Sequence, residues 1–340
     1  MLSTSIESSS SLNPRKYGRS AKVQPREGHP ITHGKSHFRH WRYIQAGLPL
    51  SFKSLISFKG TAGLGASSVK ELAKHNPSHI YFSAGNSKRG QALITEINGT
   101  RPNVNLTFIE LDLSSLASIK AAIPQFRHDR LDILMCNAGL MQAPGLSKDG
   151  YEIQFATNHL GHAMLIKGVL PTLLKTAEQP GSDVRIVSLT SEGWRMHPKG
   201  GIQFEGLNTV QDWAVVGRWI RYGQSKLANI VYGRALAGRY PSITCVSVHP
   251  GVVATDFVGN LGPFDKALVY VTNVGKMLSE EEGAHSQLYV AAAARKEDLV
   301  NGGFYMPVGV LSDSKLDETA KSEELRKELW DWTEKALEGF

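Results

Sequence analysis

Tyr222 and Lys226 are the pair of residues in this sequence best suited to proton transfer. They lie four positions apart in the segment Tyr-Gly-Gln-Ser-Lys, and side chains with this spacing share one face of a helix. An ammonium beside a phenol favours the phenolate, so we expect Lys226 to lower the pKa of Tyr222 from its ordinary value of about 10. A tyrosine with a lowered pKa can act as acid and base near neutral pH. Such pairs also arise by chance on surface helices, so the meaning of this pair depends on the elements around it.

A glycine-rich turn comes earlier in the chain. The sequence Gly-Thr-Ala-Gly-Leu-Gly at residues 60–65 follows an apolar run and precedes a helical pattern. Glycines at such a turn let the backbone approach a pyrophosphate, and the amino end of the helix attracts its charge. The segment therefore indicates a dinucleotide site, although purely structural turns give similar strings.

The residues after the second apolar run bear on which dinucleotide binds. An acidic residue there would hold the ribose 2′-hydroxyl of NAD, whereas residues 83–86 read Ser-Ala-Gly-Asn. Lys88 and Arg89 follow closely, and their charges suit a 2′-phosphate. We therefore predict NADP as the cofactor in preference to NAD. The alternative is that both cations are solvated helix residues.

These motifs need elements that bring them together, and the hydrophobic pattern from about residue 51 onward indicates such elements. Short apolar runs typical of strands alternate with helix-like segments, which implies parallel pairing of the strands. We predict a single domain with a Rossmann-type, doubly wound parallel α/β sheet, its ligand lying at the carboxyl ends of the strands. The predicted strands are Phe52–Phe58, His79–Ala84, Val104–Leu111, Leu131–Cys136, Val184–Leu189 and Ile243–Val248. The predicted helices are Ala66–His75, Lys88–Asn98, Ser114–Phe126, Tyr151–Lys175, Trp219–Arg239 and the terminal Glu323–Leu337.

The first fifty residues differ from this region in composition. The 340 residues are 41% hydrophobic and 20% charged, which is typical of a globular protein, and their net charge is +7. Much of that charge lies in residues 1–50, a basic, serine-rich extension that we expect to be disordered. No RNA- or DNA-binding motif accompanies the charge, so no nucleic acid is predicted as a partner, and no apolar run is long enough to span a bilayer.

The two cysteines, Cys136 and Cys245, lie in predicted strands. Two thiols do not make a disulfide framework, and nothing in the sequence has the spacing of a metal site. A reducing, cytoplasmic setting follows. The extension faintly resembles a mitochondrial transit peptide, which makes the mitochondrion the alternative compartment.

From about Gly60 to its end, the chain resembles a short-chain dehydrogenase/reductase. Within that family it is most similar to the retinol-dehydrogenase-like and fungal oxidoreductase branch. Several motifs in the order of the family carry the resemblance over more than three quarters of the chain. They are Gly63-Leu64-Gly65, Cys136-Asn137-Ala138-Gly139, Asn158 within Thr157–Gly161, Ser191, the segment Tyr222–Lys226 and His249-Pro250-Gly251.

The resemblance implies a role for each matching residue. Tyr222 would exchange a proton with the substrate oxygen, and Ser191 would hydrogen-bond and orient the same oxygen. Lys226 would hold the nicotinamide ribose and lower the pKa of Tyr222, while Asn158 would position a water that links Lys226 to solvent. Hydride transfer would belong to the cofactor. The implied cofactor-binding residues are Gly60, Thr61, Gly63, Leu64, Gly65, Lys88, Arg89, Asp112, Asn137, Ala138, Gly139, Tyr222, Lys226, Pro250, Gly251, Val253 and Thr255.

Some of these positions have a second interpretation, and some depart from the family pattern Thr-Gly-x-x-x-Gly-x-Gly. Asn137 could chiefly brace the sheet, and Thr255 could be an ordinary loop residue. Phe58 and Lys59 occupy the first two places of the pattern. Either Lys59 contacts the pyrophosphate, or the turn is damaged and cofactor affinity falls, or the sequence before Gly60 comes from a wrong start or exon boundary. Gly85 stands where relatives often carry an arginine for the 2′-phosphate, which weakens the NADP prediction.

Two segments are candidates for the substrate pocket. The stretch between Ser191 and Tyr222 is long, and residues 256–279 lie where the family places its substrate loop. Both are rich in large apolar side chains, which fits a hydrophobic pocket and equally fits packing against the core or a second subunit. The tryptophans of the first segment are Trp194, Trp213 and Trp219. By family analogy the long helices suggest a homodimer.

The sequence thus predicts an NADP(H)-dependent oxidoreductase that interconverts a ketone or aldehyde and an alcohol. Its substrate is expected to be an apolar metabolite such as a lipid, a retinoid-like compound or a secondary metabolite. One alternative is a catalytically weak, cofactor-binding relative with a regulatory role, which Phe58 and Lys59 suggest. Another is a binder of nucleic acid or an anionic surface that acts through the basic extension. The complete set of Asn158, Ser191, Tyr222 and Lys226 favours the enzyme.

Overall fold

Strands and helices alternate along the computed structural model, which describes residues 54–58, 61–141, 144–213, 216–253, 271 and 277–340. Within these residues, eight strands form one sheet in the order β3-β2-β1-β4-β5-β6-β7-β8. The strands are β1 Ser54–Phe58, β2 His79–Ala84, β3 Leu106–Glu110, β4 Ile133–Cys136, β5 Arg185–Leu189, β6 Thr244–Val248, β7 Phe304–Met306 and β8 Val310–Leu311.

The sheet is parallel from β3 to β7, and only the last pair, β7 with β8, is antiparallel. The chain runs outward from β1 to the edge at β3, returns to β4 on the other side of β1, and then proceeds to β8. The strand order therefore reverses between β1 and β4, where a doubly wound sheet opens a crevice at the carboxyl ends of its strands. The predicted Rossmann-type fold is confirmed.

The helices follow the predicted positions closely in the first three quarters of the chain. The predicted helix at Tyr151–Lys175 is α4, which has three parts: α-helical Ile153–Phe155, π-helical Ala156–Leu160 and α-helical Gly161–Ala177. The other α-helices with bounds inside the described residues are α1 Gly63–Ala73, α2 Ser87–Thr100, α3 Leu116–Ala122, α5 Gly217–Arg239, α6 Glu280–Leu288, α7 Glu318–Lys321 and α8 Glu323–Ala336. Strands β7 and β8 and helices α6 and α7 were not predicted.

Side chains that alternate along the strands separate two hydrophobic layers. On β4, Leu134 and Cys136 belong to the layer covered by α3, α4, α5 and α8. Ile133 and Met135 belong to the layer covered by α1, α2 and α6. Because both faces of the sheet are buried, its strands read as continuous apolar runs rather than as alternating patterns.

The terminal helix α8 lies against the helices that carry the predicted catalytic residues. Trp330 of α8 stacks on Tyr232 of α5 with their ring centroids 5.4 Å apart. Thr333 of α8 and His159 of α4 are joined by a hydrogen bond of 2.9 Å between Oγ1 and Nε2. Among the described residues, no helix combines the length and the apolar character that crossing a bilayer requires. The predicted extension, residues 1–50, lies outside the described residues.

Candidate active site

Helix α5 presents Tyr222 and Lys226, one turn apart, to the carboxyl end of β5. Both side chains are buried, Tyr222 with 7% and Lys226 with 3% of its surface exposed. Gly223 lies between them, and a Cβ atom there would come within 2.8 Å of the carbonyl oxygen of Gly193. The helix thus packs backbone to backbone against the turn Glu192–Met196, which only glycine at this position permits. This close approach places Tyr222 beside Ser191.

Ser191 and Tyr222 form the centre of the site. The Ser191 hydroxyl caps the turn by accepting a hydrogen bond of 3.1 Å from the N–H of Gly193, and it also hydrogen-bonds the phenol of Tyr222. Burial raises the pKa of Tyr222 to about 12, and the hydrogen bond from Ser191 opposes that rise only in part. The sequence-based expectation that Lys226 would lower this pKa is therefore wrong for this structure, because desolvation of the phenolate outweighs the groups that favour it.

The ammonium of Lys226 lies between the ring of Tyr222 and the end of strand β5. Its Nζ atom lies 5.7 Å from the ring centroid of Tyr222 and donates a hydrogen bond of 3.1 Å to the carbonyl of Leu189. Thr190 in turn donates through Oγ1 to the carbonyl of Lys226, at 2.8 Å. A Cβ atom at Gly139, beyond the end of β4, would lie 3.3 Å from Nζ. The ammonium is thus fixed at the edge of the sheet, facing a backbone position without a side chain.

Asn158 lies in the π-helical part of α4 and connects three segments. Its Oδ1 accepts a hydrogen bond of 2.7 Å from the N–H of Leu140, and its Nδ2 donates to the carbonyl of Leu140 at 2.9 Å. Nδ2 also donates to Ser225 Oγ at 2.9 Å, and Ser225 donates to the carbonyl of Tyr222 at 2.8 Å. These contacts hold β4, α4 and α5 together, so Asn158 positions its neighbours whether or not it serves a water relay.

A cleft of about 290 Å³ lies at the carboxyl ends of β2, β3 and β4. Three predicted cofactor residues line it, namely Asp112, Ala138 and Gly139, together with Ser83, Ala84 and Gly85. The side-chain oxygen of Asn137, next to this lining, is buried and has no hydrogen-bond partner. Small residues, an unsatisfied buried acceptor and a position at the strand-order reversal fit a bound adenosine.

The carboxylate of Asp112 is held by its neighbours at one end of this cleft. Burial alone would raise its pKa, but hydrogen bonds from the Ser114 hydroxyl and N–H and the charge of Lys148 hold it below its ordinary value. Lys148 reaches Asp112 across the cleft margin with Nζ 3.3 Å from Oδ2. Asp112 is therefore ionised and already engaged, and a bound base would share its oxygens with these donors.

The glycine turn leads directly into α1. Gly63 begins the helix with a φ of 55°, in the region that favours glycine, and Gly65 is buried. Leu64 packs against α6, where a Cβ at Gly283 would lie 2.7 Å from its Cδ2. Thr61 comes just before the helix, whereas Gly60 and Lys59 lie outside the described residues. The amino end of α1 thus lies at the carboxyl end of β1, as the predicted pyrophosphate site requires.

Lys88 and Arg89 lie in the first turn of α2, at the end of β2. Both are exposed, and neither forms an ion pair with another described residue. Asn86 caps this helix by accepting a hydrogen bond of 3.0 Å from the N–H of Arg89. Because Gly85 lines the cleft, the start of α2 lies at its edge, here called the mouth of the cleft, but no described contact fixes the two side chains.

On the other side of the site, the loop after β6 contains Pro250, Gly251 and Val253. Gly251 has a φ of 96°, and a Cβ there would clash with Leu278 at 2.6 Å. Leu278 pairs with this loop through a hydrogen bond of 2.8 Å from its N–H to the carbonyl of Val252. Thr255 and residues 256–270 and 272–276 of the predicted substrate loop lie outside the described residues. Trp194, a candidate for the substrate pocket, is fully buried and stacks on His197, so it belongs to the core.

No sequence pattern predicts the buried ion pair that lies beneath helix α5. Arg221, next to Tyr222, and Glu152 at the start of α4 lie 3.5 Å apart, with at most 1% of either side chain exposed. Arg221 also donates to the carbonyl of Gln211 at 2.8 Å, and Glu152 accepts from the N–H of Phe155 at 2.7 Å. The pair ties α5 to the segment that carries Asn158. Charged residues in otherwise buried stretches are the only signal that could have indicated it.

Comparison with known proteins finds a matching sequence profile, similar sequences and a similar solved structure. Residues 58–200 match the sequence profile described as short chain dehydrogenase. A short-chain dehydrogenase/reductase of Aspergillus calidoustus is 32% identical over 294 residues, which cover 82% of this chain and 91% of that protein. Retinol dehydrogenase 14 of Homo sapiens is 30% identical over 306 residues, covering 83% of this chain and 85% of that protein. The crystal structure of NADPH-bound carbonyl reductase from chicken fatty liver matches with a TM-score of 0.57 at 23% identity, covering 77% of this chain and 99% of that one.

Proposed function

The chain belongs to the short-chain dehydrogenase/reductase family, and we propose that it reversibly reduces a ketone or aldehyde to an alcohol with NADP(H). One observation carries the proposal: Tyr222 and Ser191 share a hydrogen bond in a buried site that Lys226 and Asn158 border. These four side chains come from α4, from the end of β5 and from α5. A buried phenol and hydroxyl next to a cation, with a cleft that fits an adenosine at the neighbouring strand ends, match the requirements of carbonyl reduction.

The raised pKa of Tyr222 indicates which proton transfer is favoured. At neutral pH the phenol is protonated, so it can donate to a carbonyl oxygen as that oxygen gains charge. The N–H of Gly193 occupies an acceptor position of Ser191 Oγ, so the serine hydroxyl hydrogen, which here hydrogen-bonds the phenol of Tyr222, can turn to the same oxygen when a carbonyl compound binds. Both donors lie in a water-poor environment, where hydrogen bonds to a developing oxyanion are strongest.

The chain's own residues fit a nicotinamide dinucleotide, which supplies the hydride when it is bound. Ala138, Gly139 and Asp112 would hold the adenosine in the cleft, and the amino end of α1 would meet the pyrophosphate. Lys226 would reach the nicotinamide ribose past Gly139, where a side chain would crowd its ammonium. Pro250, Gly251 and Val253 follow the end of β6 and would lie on the nicotinamide side.

NADP is proposed over NAD because the cations at the cleft mouth, Lys88 and Arg89, are not neutralised by other described residues. No acidic side chain follows β2, so nothing at that strand end would repel a 2′-phosphate. Both cations are solvent-exposed, and a preference carried by exposed charges is modest.

An apolar substrate is proposed on the names of two relatives. Retinol dehydrogenase 14 and polyprenol dehydrogenase of Homo sapiens are named for long apolar alcohols, and they are 30% and 29% identical to this chain. Phe58 and Lys59 at the glycine turn favour a second candidate, a relative that binds cofactor weakly and turns over little.

The test is consumption of NADPH, and in parallel NADH, against a panel of apolar ketones and aldehydes. We expect turnover of at least one carbonyl compound, faster with NADPH than with NADH. Binding of NADPH without turnover of any compound would contradict the proposal and favour the second candidate. Omission of the carbonyl compound controls for oxidation of the cofactor by other routes.

A further inference from the structure

A carboxylate and an imidazole face each other next to the proposed proton donors. Glu192 directly follows Ser191, and His249 directly follows the last residue of β6. Strands β5 and β6 are neighbours, with Leu189 paired to Val248, so the residues that follow them emerge side by side. Glu192 Oε2 lies 3.9 Å from His249 Nε2. The proposed function assigns no role to either side chain.

The side chains of Glu192 and His249 are close but do not hydrogen-bond each other directly. A separation of 3.9 Å is too long for a direct hydrogen bond between the two groups. The side chain of Glu192 is 49% exposed, whereas His249 is buried and its Nδ1 has no hydrogen-bond partner. One hydroxyl oxygen can lie within hydrogen-bond distance of both groups, since two bonds of about 2.8 Å reach across separations of up to about 5.6 Å. Nε2, the nitrogen that faces Glu192, forms no hydrogen bond with another described residue, so the imidazole and the reachable carboxylate have hydrogen-bonding capacity to offer a ligand.

The ionisation of the pair decides which group fits between its members. Burial, assisted by the charge of Lys315, lowers the pKa of His249 to about 4, so the imidazole is neutral at physiological pH. A neutral imidazole with its proton on Nε2 donates toward Glu192, whose carboxylate only accepts. A hydroxyl between them can donate to Glu192 and accept from His249, which satisfies both. An ammonium or a second carboxylate would satisfy only one.

The pair lies on the substrate side of the site. The adenosine cleft is at β2, β3 and β4, whereas Glu192 and His249 lie at β5 and β6, beyond Ser191. Glu192 is flanked in the turn by Ser191 and Gly193, and a Cβ at Gly193 would lie 3.0 Å from the ring of Tyr222. His249 is followed by the loop that leads to residues 254–276. A group bound between Glu192 and His249 would therefore belong to the molecule whose carbonyl meets Ser191 and Tyr222.

We propose that Glu192 and His249 form a hydroxyl-binding subsite, so that the preferred substrate is a carbonyl compound with a hydroxyl a few carbons from its carbonyl. This inference rests on the proposed function. A site that hydrogen-bonds a substrate hydroxyl discriminates strongly against the analogue without it, because the polar groups of the site are then left unpaired. The rest of the substrate can still be apolar.

The test compares kcat/KM for a straight-chain methyl ketone with kcat/KM for its counterparts that carry a hydroxyl on the first, second or third carbon from the carbonyl. We expect one hydroxylated counterpart to exceed the plain ketone by about tenfold or more. In the Glu192→Ala variant this ratio should fall to about one, and Glu192→Gln, which still offers an oxygen acceptor, should lie between. Glu205→Gln, an exposed glutamate of the same segment that forms no described ion pair, is the matched control and should keep the wild-type ratio.

A second pair of variants separates hydrogen bonding from packing at His249. His249→Asn keeps a donor and should retain part of the preference, whereas His249→Phe removes it and should lose the preference. A wild-type ratio near one, or a ratio that Glu192→Ala leaves unchanged, would overturn the subsite while leaving the proposed function standing. Absence of turnover with every compound would instead mean that the proposed function itself fails.

Discussion

The carboxyl edge of the sheet has two halves that are built differently. Around β5 and α5 the polar side chains are buried and bound to backbone carbonyls and N–H groups, as Lys226 is to Leu189 and Asn158 is to Leu140. Around β2 and β3 the cleft is lined by small residues, and the cations at its mouth, Lys88 and Arg89, are exposed. The half that contains the proposed catalytic residues is therefore positioned by the fold itself, whereas the proposed preference for NADP rests on exposed surface charges.

This difference has an energetic consequence. Breaking a buried polar contact leaves its partner desolvated and unpaired, which costs far more than the contact gains in water. Removing an exposed charge leaves no buried group without a partner. The interaction that is lost was already weakened by water and by screening from salt. Substitutions around β5 and α5 should therefore have large effects on stability or turnover. Substitutions at the mouth of the cleft should have small effects on cofactor binding.

The largest effect is expected at the ion pair beneath α5. Arg221→Met leaves the carboxylate of Glu152 buried without its cation, which should lower the free energy of unfolding by about 3–5 kcal/mol. Urea denaturation measures this, and the double variant Glu152→Gln, Arg221→Met should recover part of the loss. Arg295→Met, which breaks an exposed pair with Asp298, is the control and should change stability little. If Arg221→Met changes the free energy of unfolding as little as the control does, the buried ion pair does not stabilise this half of the molecule.

The next effect concerns the second donor to the substrate oxygen. Ser191→Ala removes a hydroxyl that should stabilise the developing oxyanion, and kcat should fall by about a hundredfold or more. Ser188→Ala, on the same strand, is the matched control. A loss of less than about threefold in kcat for Ser191→Ala would show that Tyr222 works without the serine.

The dependence of the rate on pH tests the raised pKa of Tyr222. Below about pH 12 the phenol is mostly protonated, so carbonyl reduction, which uses the acid form, should change little between about pH 6 and about pH 9. Alcohol oxidation uses the phenolate and should rise by about tenfold per pH unit over that range. An oxidation rate that levels off near neutral pH would mean that the bound state lowers this pKa, as the spacing of Tyr222 and Lys226 alone predicts.

The smallest effect is expected at Lys88 and Arg89, at the mouth of the cleft. The double variant Lys88→Ala, Arg89→Ala should raise KM for NADPH by about threefold to tenfold and leave KM for NADH nearly unchanged, since exposed charges contribute about 1 kcal/mol or less. Lys327→Ala, an exposed lysine on α8, controls for net charge. An equal change in KM for both cofactors would show that these residues do not bind the 2′-phosphate.

Most of the sheet could be predicted because strands buried on both faces are short apolar runs between helical patterns. His79–Ala84 was predicted to the residue, and Leu131–Cys136 begins two residues before the observed strand at Ile133. Strand β7 has only three residues, too few to show a period, and it forms because β6 offers it an edge. The π-helical turn at Asn158 depends on contacts with Leu140 and Ser225 that are distant in sequence.

The residue types that meet at the proposed site could be predicted, but their energetics could not. Spacing placed Tyr222 and Lys226 on one face, and the resemblance added Ser191 and Asn158. The sequence does not show how deeply the phenol is buried, so it gave the wrong direction for its pKa. Nor could it show that Glu192 and His249 meet, since only the adjacency of β5 and β6 brings them together.

The most direct test of the central claim is to measure NADPH binding and carbonyl turnover on the same preparation of Tyr222→Phe. This variant keeps the buried ring and removes the hydroxyl that gives the proton. NADPH affinity should stay within about threefold of wild type, while turnover falls by roughly 10²–10⁴-fold. Tyr232→Phe, a buried tyrosine on the same helix that packs against Trp330, should retain both. A Tyr222→Phe variant with near wild-type turnover would contradict the assignment of Tyr222 as the proton donor.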